Sequence, residues 1–151
     1  MITIRKATEN DLAILETFEQ GIVETERPFD NTLKEGRIHY YDLKELMNST
    51  DSIVLIAEED GEIIASGYAQ IRDAMNYLKH EQYAYLGFMY VHPVHRRKGL
   101  NKLILDELIN WSRSRQITEI RLNVYCENDA AKRAYEKAGF ISHMVEMRRS
   151  I

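Results

Sequence analysis

The 151-residue sequence lacks several features that mark specialised classes of protein. Its only cysteine, Cys126, excludes an internal disulfide framework and a zinc site made of cysteines alone. The longest fully apolar run, Ile53 to Ala57, is far shorter than the roughly 20 residues that a membrane helix needs. Charge appears at Arg5, before an apolar signal region can develop, so we expect no signal peptide. We therefore predict a soluble, cytoplasmic protein with no membrane contact, because a lone thiol suits a reducing compartment.

The sequence also has few prolines and no large excess of charge of either sign. The two prolines, Pro28 and Pro93, do not form a linker, and no repeat or low-complexity stretch divides the chain, so we predict one domain over residues 1–151. Lys and Arg number 20 against 24 Asp and Glu, a net charge of −4, which argues against a non-specific nucleic-acid binder. A hydrophobic content of 44% excludes a disordered chain.

What is present is a pattern of alternating strand and helix signals. Short β-branched or alternating runs predict strands, apolar residues at helical spacing predict helices, and Asp60-Gly61 predicts a tight hairpin turn. The predicted order is a strand at 2–5, a helix from Thr8, a helix through 38–47, strands at 53–57, 63–71 and 84–91, a helix at 100–111, a strand at 119–125, a helix at 129–138 that Gly139 ends, and a last strand at 140–147. This order predicts a mixed α/β (α+β) fold whose sheet is largely antiparallel.

The segment between the strand at 84–91 and the following helix is the most informative part of the chain. The first N–H groups of a helix have no internal partner and attract anions. Gly99 allows close approach of a bulky phosphate, and Arg96, Arg97 and Lys98 add positive charge at the same point. Taken alone, three cations in a row are more often a solvated surface. Their place between a strand and a helix favours a phosphate site, although neither a P-loop nor a dinucleotide-binding motif is present.

Two sequence blocks resemble those of the GNAT superfamily of acyl-CoA-dependent N-acetyltransferases. The first is Arg96-Arg97-Lys98-Gly99-Leu100-Asn101 after Val91-His92-Pro93, which matches [RQ]-x-x-G-x-[GA] except that Asn101 replaces the usual Gly or Ala. The second runs from Leu122 to Phe140 and matches a strand followed by N-x-x-A-x-x-x-Y-x-K-x-G-F. The resemblance implies a largely antiparallel twisted sheet flanked by helices, with two central strands that splay apart.

The resemblance also implies acetyl-CoA as cosubstrate, with no metal. The pantetheine arm would contact the main chain of Met89, Tyr90 and Val91 and the side chain of Asn128. The pyrophosphate would be held by Arg96, Arg97, Lys98, Gly99, Leu100 and Asn101. From the residues alone, Asn128 is equally well explained as a helix N-cap, and the two roles are compatible.

Tyr135 matches the family tyrosine that faces the departing sulfur, so we predict it as the catalytic acid that protonates the thiolate. From the residues alone, it is as often a core aromatic. No carboxylate can be carried over as general base, because Tyr83 and Tyr85 stand where many relatives have glutamate. The candidates are Glu81, Glu26 and a water molecule.

The acceptor is expected to be the primary amine of a small molecule or a peptide, attacking directly in a ternary complex. Glu24, Glu26, Phe29 and Asp30 lie in a segment that lines the acceptor site in many relatives, and Tyr85 can stack beside a cationic amine. On composition alone this segment is an ordinary polar loop.

Three alternatives stay open. One is a module that binds acyl-CoA without turnover, and another is a nucleic-acid-binding protein that uses Arg96 to Lys98. The third concerns the oligomeric state, because the tyrosines at 83, 85 and 90 fit a ligand-facing strand, a wet sheet edge or a homodimer contact. His92 and His95 have the spacing of a metal pair but no third ligand nearby, so we predict no metal site.

Overall fold

A computed structural model describes all residues, 1–151. The strands are β1 (Ile2–Lys6), β2 (Ser52–Glu59), β3 (Glu62–Asp73), β4 (Gln82–Val91) and β5 (Ile120–Arg121). The helices are α1 (Leu12–Glu26), α2 (Leu43–Asn48), α3 (Leu100–Ser114) and α4 (Asp129–Lys137).

The five strands form one sheet in the order β1-β2-β3-β4-β5. The first three pairings are antiparallel, and β4 pairs with β5 in parallel. Asp60 and Gly61 have φ values of 51° and 80°, as a type I′ hairpin turn between β2 and β3 requires. The predicted mixed, largely antiparallel architecture is confirmed.

Helices cover both faces of the sheet. On one face, α3 packs Leu100, Ile104 and Leu108 onto a core that continues through Leu55 and Leu86. On the other face, α1 and α2 bury a second core, whose members are Leu15, Phe18, Ile22, Leu43, Leu46, Val54, Ile56, Tyr68 and Phe88. The sheet is therefore buried on two sides, which explains why all residues of β2 from Ser52 to Ala57 are buried.

The second helix is shorter than predicted. It begins at Leu43, after Asp42 accepts a hydrogen bond from the Glu45 amide at 3.1 Å, so Ile38 and Tyr41 precede it. A buried carboxylate explains the difference. Glu19 of α1 is 1% exposed and accepts hydrogen bonds from the Tyr40 and Tyr41 amides at 2.9 and 3.0 Å. These amides are thereby used by α1 rather than by a helix of their own.

The C-terminal strand predictions are wrong in extent. The strand predicted at 119–125 is reduced to Ile120–Arg121, and no strand forms at 140–147. A strand exists only where a neighbour supplies its hydrogen bonds, and beyond Arg121 none does. Of the predicted last strand, Phe140 packs against the α3 core, whereas Ile141 and Met147 are exposed. The helix before it ends as expected, since Gly139 has a φ of 97° and the Phe140 amide bonds to the Tyr135 carbonyl.

Candidate active site

A bulge in β4 marks the point where the sheet opens. Phe88 has a φ of 57°, and the register with β3 shifts between the pairs Ser66–Tyr90 and Tyr68–Gly87. The Ser66 hydroxyl donates to the Phe88 carbonyl at 3.0 Å and thereby holds the bulge. A non-glycine residue with this φ is strained, and such strain clusters at functional sites.

Beyond the bulge, β4 has only one strand neighbour. Pairing with β5 is limited to Ala84–Ile120 and Tyr85–Arg121, so the predicted splay of the central strands is present. The side chain of Met89 packs against the α3 core, and Tyr90 stacks on Phe18 of α1 at 4.7 Å. Main-chain groups of Met89 to Val91 that point away from β3 therefore face an open wedge.

The loop from His92 to Gly99 turns a row of amide groups toward one end of α3. The N–H groups of the six consecutive residues from Arg97 to Lys102 make no hydrogen bond within the protein. Gly99 has a φ of 76°, and a Cβ atom built there meets nothing within 4 Å. Arg97 also has a positive φ, 66°. Successive N–H groups in such a turn form a concave anion site.

The three cations of this loop take different positions. Arg96 folds back, with Nε donating to the Val91 carbonyl at 3.1 Å and its guanidinium 5.9 Å from the Tyr90 ring. Lys98 lies 3.1 Å from Nδ1 of His95, and Arg97 is exposed without a carboxylate partner. Positive charge therefore surrounds the free amides while no anion of the protein neutralises it.

Tyr135 on α4 lies beside the first turn of α3. Burial raises the pKa of its phenol, and the nearby Asn101 side chain opposes that rise. The residue that departs from the family pattern is therefore next to the predicted acid. A raised pKa keeps Tyr135 protonated at neutral pH, as a proton donor requires. Asn128 is the N-cap of α4, because its Oδ1 accepts from the Ala131 amide at 3.3 Å.

Four tyrosines and one carboxylate form a cluster under the C-terminal end of α1. We call Glu26, Tyr40, Tyr41, Tyr68 and Tyr85 the tyrosine cluster. The rings follow one another, with centroids 5.8 Å apart for 40 and 41, 5.5 Å for 41 and 68, and 6.4 Å for 68 and 85. Burial raises the pKa of each phenol, and the Glu26 charge adds to the rise for residues 40, 41 and 85.

Glu26 is the half-buried acid among the base candidates. Burial raises its pKa, the nearby Tyr40 hydroxyl opposes the rise, and the nearby Asp30 charge adds to it. The Tyr40 hydroxyl is buried and has no hydrogen-bond partner within 3.5 Å. Glu81 is exposed in the loop before β4, away from this cluster. Of the predicted acceptor residues, Glu24 points outward to Arg27 at 2.8 Å and does not join the cluster.

Phe29 and Asp30 lie at the rim of the same region. Phe29 stacks on Tyr125, with ring centroids 6.1 Å apart, and the Tyr125 hydroxyl donates to Asp30 at 3.2 Å. Hydrogen bonds from the hydroxyl and amide of Thr32 lower the pKa of Asp30 to about 2. Arg148, from the C-terminal segment, adds a contact of 3.3 Å to the same carboxylate. Phe29 and Asp30 thus tie the segment after α1 to residues near the C-terminus.

Neither a metal nor a membrane site is visible. No group of three or more His, Cys, Asp or Glu side chains is arranged to hold a metal ion. His92 and His95 have ring centroids 5.9 Å apart, and the nearest acid of His95, Glu62, is 3.9 Å away. No helix is both long enough and apolar enough to cross a membrane.

The splayed strand, the free amides and the adjoining helix occur within a stretch that a family model recognises. The model of the acetyltransferase (GNAT) family matches residues 16–140. The chain belongs to this family. It is an acyltransferase of the N-acetyltransferase type, as the two sequence blocks predicted.

Individual members of the family are similar over nearly the whole chain. An L-methionine sulfoximine/L-methionine sulfone acetyltransferase of Salmonella typhimurium is 29% identical over 92% of this chain and 80% of its own length. An L-amino acid N-acyltransferase of Escherichia coli is 27% identical over 93% and 80%. The crystal structure of a predicted acetyltransferase from Clostridium acetobutylicum with acetyl-CoA superposes with a TM-score of 0.77 at 25% identity, covering 98% of this chain and 96% of that one.

Several residues of this acetyltransferase site escaped sequence reasoning. The bulge at Phe88 has no signal of its own, because the residue looks like any apolar strand position. Glu19 lies on the apolar face of α1. An acid at a buried position is rare without a partner, and this was the available clue that it binds other groups. Tyr40 and Tyr125 are identified only by the packing of distant segments.

Proposed function

We propose that this acetyltransferase uses acetyl-CoA to acetylate the primary amine of a small molecule, by direct attack in a ternary complex. Residues 1–151 act as one domain, and the single thiol suits a cytoplasmic location. The observation that carries the proposal is the row of six unbonded N–H groups at the start of α3, beside a glycine open to solvent. Such a row is a built receptor for a diphosphate.

We assign each part of coenzyme A to its own set of residues. The pyrophosphate is assigned to Arg96, Arg97, Lys98, Gly99, Leu100 and Asn101. The pantetheine arm is assigned to the main chain of Met89, Tyr90 and Val91 in the wedge, and to Asn128 beside it. When bound, acetyl-CoA supplies an activated acetyl thioester. The open main-chain N–H groups of the wedge are able to polarise its carbonyl.

The chain supplies one proton acceptor and one proton donor for the transfer. Glu26 takes a proton from the ammonium group, and the free amine then attacks the carbonyl carbon. The C–N bond forms, the C–S bond breaks, and the sulfur takes the Tyr135 proton to leave as a thiol. The nitrogen releases the extra proton that it carries after the attack, and this proton restores the Tyr135 phenol, so the products are a neutral amide and a thiol. Holding both reactants in one site removes several kcal/mol of the barrier.

The relatives and the cluster both support this acceptor class. Two similar proteins are named for amino acids or amino-acid analogues, which supports a small-molecule amine as the acceptor. A carboxylate among aromatic rings suits an ammonium group, through charge and through the ring faces. A homodimer stays a prediction.

Replacing the proton donor tests the chemistry separately from binding. We expect Tyr135→Phe to lower kcat by roughly 100-fold, the scale of one acid catalyst, while the acetyl-CoA Kd changes less than about twofold. Thiol release measures the rate, and calorimetry measures Kd. Tyr77→Phe, at a residue 76% exposed, is the control. Equal rates for both variants would contradict the role of Tyr135 as proton donor. Tight binding of acetyl-CoA without turnover by the wild type would instead favour a module that only binds acyl-CoA.

The pH profile tests the base. Glu26 must be ionised to accept a proton, and burial raises its pKa, so kcat/KM should rise with pH through a value above that of an ordinary glutamate. We expect Glu26→Gln to remove this limb and to lower kcat/KM by roughly 100-fold. Glu81→Gln should leave the profile unchanged. The opposite pattern would move the base to Glu81.

A further inference from the structure

Arg72 of β3 is a cation without an anion. Its guanidinium lies 4.0 Å from the centroid of the Tyr85 ring, and Nε donates to the Gln70 side chain at 2.9 Å. The two terminal nitrogens make no hydrogen bond within 3.5 Å, although the guanidinium is near enough to the Tyr68 hydroxyl to oppose the rise in its pKa, and no carboxylate lies within 4.0 Å. The other arginines without a carboxylate partner are all exposed, whereas Arg72 is half-buried. A half-buried guanidinium with a free fork is prepared to bind a planar anion in a bidentate manner.

This free cation belongs to the tyrosine cluster. Arg72 stacks on Tyr85, and its charge partly offsets the rise that burial causes in the pKa of Tyr85 and Tyr68. Glu26 adds to the rise for Tyr85, so the same phenol is within electrostatic reach of both charges. The two charges nevertheless do not form an ion pair with each other.

The cluster thus presents an unpaired anion and an unpaired cation, separated by aromatic rings. The orphan hydroxyl of Tyr40 lies at the anionic end. Burying single charges without partners costs stability, and a ligand with the reverse charges removes that cost. A diamine or polyamine satisfies only Glu26 and places a second cation near Arg72. A zwitterion satisfies both.

We propose that the acceptor is a zwitterionic α-amino acid, whose carboxylate binds the Arg72 fork while its ammonium group lies at Glu26. This proposal rests on the proposed function and adds a specificity-determining residue to it. Arg72 then selects the substrate and takes no part in proton transfer. The carboxylate contact anchors the amine beside its base, so its loss should raise KM more than it lowers kcat.

Matched substrates test the proposal. We would measure kcat/KM by thiol release for the common L-amino acids and for their carboxamides, which keep the amine and side chain but lose the negative charge. We expect the best amino acid to exceed its amide by about 10- to 100-fold, the effect of one charge-assisted bidentate contact. Amides or simple amines that react as well as every amino acid would overturn the proposal.

A pair of arginine variants assigns the effect to the residue. Arg72→Gln should raise KM for the amino acid by about 10-fold or more and change KM for the amide less than about threefold. Arg121→Gln is the control, because Arg121 stacks in the same way on Tyr83, at 3.9 Å, but is already paired with Glu119 at 2.8 Å. Equal losses on acid and amide in Arg72→Gln, or the same selectivity loss in Arg121→Gln, would overturn the assignment.

The two levels of proposal fail in different ways. Should no amine be acetylated while acetyl-CoA binds, the proposed function fails. Should amines be acetylated with no preference for a carboxylate, only the role of Arg72 fails. Calorimetry with acetyl-CoA on Arg72→Gln confirms that the variant is folded and binds the donor, because Arg72 lies outside the loop from His92 to Gly99.

Discussion

The amide loop, residues 92–102 with their free N–H groups, and the tyrosine cluster are built in different ways. The loop is contiguous, since its turn, its cations and its free N–H groups all lie between His92 and Lys102. The cluster takes Glu26 from α1, Tyr40 and Tyr41 from the next segment, Tyr68 from β3 and Tyr85 from β4. Arg72 of β3 stacks on it at Tyr85. The site that we propose for the coenzyme is thus local, whereas the site that we propose for the acceptor depends on the packing of four segments. Perturbing one should leave the other intact.

The largest expected effect is on the free energy of unfolding, and it comes from Glu19, which binds the backbone of Tyr40 and Tyr41 in the tyrosine cluster. Glu19→Gln replaces a buried acceptor of two amides with a side chain that also presents donors, so we expect a loss of about 2–3 kcal/mol in the free energy of unfolding. Denaturant unfolding measures it. Because Tyr40 and Tyr41 would be released, the acceptor KM should also rise while the acetyl-CoA Kd does not. Glu24→Gln, whose side chain is 68% exposed in a surface ion pair, should cost less than about 1 kcal/mol. Equal costs would contradict a special role for the buried acid.

A pair of glycine variants tests whether the amide loop binds acetyl-CoA. Gly99→Ala and Gly61→Ala each force a side chain into the left-handed region, at φ of 76° and 80°, and neither Cβ meets another atom. Both should therefore cost on the order of 1 kcal/mol of stability. Only Gly99→Ala should weaken acetyl-CoA binding, by about tenfold, because its methyl group occupies the approach of the phosphates. Calorimetry on both decides, and equal affinities would remove the diphosphate from this loop.

The smallest expected effect concerns Asp30, at the rim of the tyrosine cluster, and its pKa. Thr32 is the main cause of the low pKa of Asp30, about 2, and Arg148 is the least of the causes. NMR titration should therefore show a clear upward shift in Thr32→Val and a smaller one in Arg148→Ala. The Arg148 side chain is 56% exposed, so its loss should change the acceptor KM less than about twofold. A larger shift from Arg148→Ala would make the C-terminal segment part of the acceptor site.

Sequence reasoning predicted the strands up to β4 and the position of the amide loop between β4 and α3. Strand pairing there is local, as in the hairpin at Asp60-Gly61, and the β4–α3 segment combines a glycine, a proline and a helix start within one stretch. It failed at α2 and at the C-terminus for one shared reason. Residues 38–41 and 140–147 have suitable side chains, but their backbone partners are decided elsewhere, by Glu19 in one case and by a missing neighbour strand in the other.

The amino-acid order alone predicted the amide loop, Tyr135 as the proton donor and the family, of which the family is confirmed, because the groups involved are close neighbours in the chain or sit at a fixed helical spacing. Only the tertiary structure decided the bulge at Phe88, the burial of Glu26 in contrast to the exposed Glu81, and the stacking of Arg72 on Tyr85. These features depend on burial and on charges brought together from residues tens of positions apart. Coulomb and desolvation energies follow distance in space, which the order of residues does not state.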